Sequence, residues 1–158
     1  MKTSPITLVA ISGLIWFAVG FWLLFLGLRL LVDSVEGGML VENLAPYTGG
    51  LQQAALLLVA LGLWIGYYKG KFALGKSVKR NVDRLQALSG PVSIVYVYSR
   101  ASYILLLAMM CLGMLIKFLG IPNDIRGVID VAVGSALLQG AVLYFRHAWH
   151  MRRAMTVV

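Results

Sequence analysis

The sequence predicts an all-α, four-helix transmembrane bundle that forms a single integral membrane domain over residues 1–158. Three observations predict it. Only 13% of residues are charged, against the roughly 25% that a water-facing surface requires. Four long apolar stretches divide the chain. The segments between them alternate between basic and acidic.

The first apolar stretch runs from Pro5 to Leu28 and the second from Asn43 to Tyr68, both without a charge. The third runs from Ala101 to Ile116 and the fourth from Val131 to Phe145. About 20 apolar residues cross a ~30 Å hydrocarbon core. The first two stretches meet that length alone, and the last two meet it with their polar flanks. The expected spans are 5–31, 46–68, 100–119 and 124–147, with a basic loop over 69–99. The first stretch is too long for a cleavable leader and reads as a retained anchor.

The loops set an orientation. Lys69, Lys71, Lys76, Lys79, Arg80, Arg84 and Arg100 fall between the second and third stretches, against Asp83 alone. Arg146, Arg152 and Arg153 follow the fourth stretch. Asp33, Glu36 and Glu42 lie in the loop after the first expected span, which ends at residue 31, and that loop has no Lys or Arg. Basic loops are retained in the cytoplasm. The N-terminus, the 69–99 loop and the C-terminus are therefore expected inside a plasma (inner) membrane. Trp64, Tyr67, Tyr68, Tyr96, Tyr98, Tyr103, Tyr144 and Trp149 are expected at the inner headgroup layer, which suits amphipathic rings. The net charge of +8 follows from this pattern, and nucleic acid is not an expected partner.

Within the basic loop, Leu74, Val78, Val82 and Leu85 lie at helical spacing opposite a basic face. A short amphipathic helix lying on the inner leaflet is expected there. Lys76, Lys79, Arg80 and Arg84 would meet anionic lipid headgroups, at about 1 kcal/mol each. The succession of helix, short outer loop, helix and basic tail occurs twice, so two tandem helical hairpins are an option.

Small residues mark the expected helix contacts, because close packing drives association in lipid. Gly13, Gly20 and Gly27 recur every seven residues, Gly62 and Gly66 form a GxxxG pair, and Ala132, Ala136 and Gly140 recur every four. These stripes serve either one bundle or a contact between protomers. A homo-oligomer is expected because four spans enclose little interior volume, and a membrane-protein partner would dock through these stripes and the basic loop.

One polar level near the outer face carries the candidate site. Measured from Lys69, Arg100 and Arg146 at ~1.5 Å per residue, Gln53, Lys117 and Asp130 each fall about 24–25 Å up their helices. Arg29 falls near the same level, and Arg126 lies one turn from Asp130. A carboxylate at that depth needs a partner. Lys117 is the natural one, with Arg126 competing and Gln53 within hydrogen-bonding reach. Two readings stand: an ion pair that fixes helix packing, or an outer-side site whose excess of cations favours an anionic ligand. Ser135 and Gln139 continue inward from Asp130 as path-lining candidates.

Other chemistry is sparse. Cys111 is the single cysteine and reads as a small buried hydrophobe. His147 and His150 are spaced to share a metal, but flanking cations oppose one, so no metal and no cofactor are expected. GKFALGKS (Gly70–Ser77) matches a phosphate-binding loop literally, yet it lacks the strand that such a loop requires. No catalytic constellation emerges. The expected function is an oligomeric channel or transporter, with a non-transporting accessory or assembly subunit as the alternative.

Overall fold

A computed structural model describes residues 2–3, 5–86, 92–93, 111, 115–116 and 118–156. The described residues are all but entirely helical. Helix α1 spans Pro5–Asp33, α2 Met39–Thr48, α3 Leu51–Lys69, α4 Gly75–Gln86 and α5 Asn123–Thr156, with a π-helical turn at Gly70–Leu74. Lys2 and Thr3 pair antiparallel with Ser93 and Val92. Among the described residues, three helical stretches, Ile6–Asp33, Leu51–Phe72 and Asn123–Arg153, are long and apolar enough to cross a membrane.

Helix α1 follows from its charge-free run Pro5–Leu28. Its 29 residues reach about 44 Å, more than a ~30 Å hydrocarbon core needs. The acidic segment after it, between the expected spans 5–31 and 46–68, contains α2. No local side chain caps that helix, and Pro46 lies inside it. Glu42 in its first turn suits the helix dipole. Gly49 ends it in the left-handed region at φ +92°, where only glycine is unstrained. Helix α3 therefore begins at Leu51 and not near residue 46.

Helix α3, the π turn and α4 form one continuous rod. Gly70 and Gly75 keep right-handed helical angles at its joints. Leu58, Gly62, Gly66, Gly70, Leu74, Val78 and Val82 recur every four residues along it. An α-helix turns about 100° per residue, so such a stripe drifts roughly 40° per step. The wider π turn winds less per residue and corrects the drift midway. The upper and lower parts of the stripe thus face the same neighbour, α5.

Helix α5 is the centre of the molecule. It packs antiparallel to α1 through glycines on both sides. A Cβ on Gly20 would lie 3.0 Å from the Gly134 carbonyl, and one on Gly134 would lie 2.8 Å from the Gly20 carbonyl. Gly27 and Gly127 meet in the same reciprocal way. Backbones this close exchange Cα–H···O contacts that side chains would forbid. Helix α3 lies parallel to α5 on another face: Gly62 meets Val131, Gly66 meets Ala132 and Ser135, and Gly70 meets Ala136. The small-residue stripes are thus consumed within one chain.

Two apolar clusters result. One joins Leu31, Val41, Ala54, Ala55, Leu58 and Val131 around α2. The other joins Leu8, Val9, Trp16, Val78, Val82, Leu137, Ala141 and Tyr144. The second cluster corrects the expected surface helix at Lys71–Leu85. Val78 and Val82 are fully buried against α1 and α5. Protein, not lipid, takes that apolar face, because the π turn carries the rod straight on alongside α5. Tyr144, expected at the headgroup layer, is likewise buried, with its ring 5.8 Å from that of Trp16. The GKFALGKS run is helical throughout and forms no loop. Most of the segment expected at 100–119 lies outside the described residues.

Candidate functional site

The polar residues expected at one outer level are placed as follows. Arg126 and Asp130 sit one turn apart on α5, with Arg126 Nε 3.7 Å from Asp130 Oδ2. Their side chains are 25% and 15% exposed. Asp130 Oδ2 is buried and accepts no hydrogen bond among the described residues. The helix supplies this pairing itself, since residues four apart share a face.

Arg29 does not join them. It is exposed at the end of α1 and lies 3.8 Å from Asp33, one turn further on. Gln53 is exposed on the first turns of α3, well above Asp130. Gly62 is the α3 residue level with Val131. Gln53 precedes it by nine residues, or about 14 Å. The common depth fails because Lys69 and Arg146 do not mark one plane. Gly70 lies against Ala136, ten residues before Arg146, so the two cations differ in depth by about 15 Å. Lys117, the expected partner of Asp130, lies outside the described residues.

Ser135 and Gln139 follow Asp130 down α5, both half-buried. Ser135 Oγ donates to the Ala132 carbonyl at 3.1 Å. This oxygen occupies the space that a methyl on Gly66 would need. Ser135 thus fills the α3–α5 seam. The tight glycine seams also leave no lumen between α1 and α5.

The carboxylate that sequence reasoning missed is Asp124. It is fully buried at the start of α5. Its Oδ2 accepts the Leu40 amide closely and the Val41 amide at 3.4 Å, while Oδ1 accepts the Ile125 amide at 2.8 Å. It supplies the N-terminal cap that α2 lacks locally, and its charge meets the positive end of that helix. No local pattern announces a cap delivered from 84 residues away.

At the opposite end, Asn81 on α4 donates to Tyr144 Oη at 3.1 Å, and Arg84 donates to Asn81 Oδ1 at 3.4 Å. Arg84 is half-buried in this group, while Lys76, Lys79 and Arg80 are exposed. His147 Nδ1 lies 2.7 Å from the Leu143 carbonyl. Arg153 stacks 5.3 Å over the Trp149 ring.

No family model, no curated protein and no solved structure matches the chain. The site therefore stands on its own geometry.

Proposed function

We propose that the chain is a small multi-pass membrane protein working as an oligomeric channel or transporter, with an outer-side polar site at Arg126 and Asp130 that takes an anionic ligand. The observation that carries this reading is the ion pair itself. Asp130 lies within a membrane-length apolar helix, and one of its oxygens is buried without a hydrogen bond. Ionisable groups at such depth are costly and mark ligand or ion sites by default. Among the described residues the guanidinium of Arg126 pairs with one carboxylate, that of Asp130, and it offers several donors, so it retains donors for an anion. Since the glycine seams close the space between the described helices, a conduit is proposed to run between chains.

A fourth span completes the proposed bundle. Helices α3 and α5 run parallel, an arrangement that a returning span between them in sequence would fit. The apolar 100–119 segment has the composition for that return. The proposed orientation keeps both termini and the 69–99 stretch in the cytoplasm of a plasma (inner) membrane, on the charge bias alone. There, Lys76, Lys79 and Arg80 meet anionic headgroups by electrostatics, because the apolar face of α4 is occupied.

The test is anion uptake into vesicles reconstituted with purified protein. Arg126→Met or Asp130→Asn should change uptake while leaving the bundle folded. If both variants alter only thermal stability, the pair is a packing device and the reading fails. A second reading, an accessory or assembly subunit, draws on the exposed rings of Phe17, Phe21, Trp22 and Phe25 on α1. It requires a second membrane protein to co-purify from native membranes.

A further inference from the structure

The packing of α3 on α5 puts two lysines where a lipid-facing surface should have none. Gly70 lies against Ala136, and Gly20 lies against Leu137 and Leu138, so the three helices share this level. Lys69 and Lys71 flank Gly70, and both are exposed. Ala136 stands about 15 Å from Arg146 and about 9 Å from Asp130 along α5. Gly20 stands about 22 Å from Pro5 and about 12 Å from Leu28 along α1. The two lysines therefore sit inside the apolar band that α1 and α5 define. Neither has a carboxylate within ion-pairing distance among the described residues.

Lysine in hydrocarbon is costly, and a stem of about 6 Å is too short to carry its ammonium to the level of Arg146. A second class of residue gives the same indication. Trp64, Tyr68 and Phe72 form a ladder on the exposed side of the rod, with ring centroids 5.7 and 5.4 Å apart. Tyr67 is exposed beside it. Rings with polar tips mark a boundary between water and hydrocarbon. Here that boundary meets α3 well inboard of the end of α5.

We propose that Lys69 and Lys71 stand at the floor of a water-filled, cytoplasm-facing recess that draws small inorganic anions to about the middle of the membrane. Lys76, Lys79 and Arg80 continue the basic face from the floor toward the end of α4. A positive surface with low-dielectric walls concentrates anions. The inference rests on the membrane-spanning orientation proposed above, but not on the Arg126–Asp130 site.

Cysteine accessibility tests it, in a Cys111→Ser background that leaves no other thiol. Lys69→Cys, Lys71→Cys and Phe21→Cys are made singly. Phe21 is the control: it is 57% exposed and adjoins Gly20 at the same depth. Membrane vesicles with the cytoplasmic face outward are treated with an anionic and a cationic membrane-impermeant methanethiosulfonate. The two lysine positions should react, the anionic reagent about tenfold faster than the cationic one, and the Phe21 position should not react. Equal reaction at Phe21 would place the whole level outside the bilayer and overturn the proposal. So would silence at both lysine positions, or the lack of any preference for the anion. Reaction only from the opposite face would refute the orientation as well. Anion uptake by Arg126 and Asp130 variants is read separately and does not decide this outcome.

Discussion

The carboxylate of Asp124, at the start of α5, caps the first turn of α2 by accepting the amide of Leu40. The acidic segment is thereby tied to the central helix. Asp124→Ala should cost about 1–3 kcal/mol, the range for a lost cap that leaves buried amides unpaired. Asp124→Asn keeps an acceptor and should cost less. Hydrogen exchange at Leu40 and Val41 checks the mechanism, since their protection should fall before that of α1.

The α1–α5 seam should not tolerate side chains at its crossing points. Gly134→Val and Gly20→Val each force the two backbones apart and should destabilise the protein by about 1–3 kcal/mol or more. Gly37 has nothing within 4 Å of its would-be Cβ, so Gly37→Ala should be nearly silent. Thermal unfolding in detergent compares the three. Equal losses would mean that the seam is not where stability resides.

The Arg126–Asp130 pair should behave asymmetrically. Arg126→Met leaves a largely buried carboxylate alone and should cost on the order of 3 kcal/mol. Adding Asp130→Asn to that variant should restore most of the loss. A double-mutant cycle on thermal stability measures the coupling, and additive losses would show the pair to be independent.

Tyr144→Phe removes the acceptor of Asn81 and should cost about 1 kcal/mol, with little change at the far end of the bundle. The aromatic packing on Trp16 is retained. Unfolding of Tyr144→Phe beside Tyr144→Ala separates the hydroxyl from the ring, and the alanine variant should lose several times more.

The candidate span at α1 was legible because a charge-free run as long as Pro5–Leu28 has few other stable homes, and that at α5 from the shorter apolar run Val131–Phe145 taken with its polar flanks. The seven-residue stripe on α1 was legible for a similar reason, although its partners Gly127 and Gly134 were not picked out. Helix α2 was hidden because its cap comes from Asp124, which no local window contains. The apolar face at Val78 and Val82 was visible, but a periodic pattern does not say whether lipid or protein will cover it. The shared depth of Gln53 and Asp130 was an error of reference: cations near the ends of two helices need not lie in one plane when the helices are staggered. Of the candidate site, the Arg126–Asp130 contact was readable as the competitor to Lys117, because it is local to one helix.

The π turn at Gly70–Leu74 also sets the rotational phase between the upper and lower halves of a single long rod. One residue gained or lost there would swing everything beyond it by about 100°. Val78 and Val82 would leave α5, and the basic side would be aimed elsewhere, while the upper seam with Val131 and Ala132 stayed shut. A length change at this point would therefore re-aim the cationic face without dismantling the apolar frame that carries it.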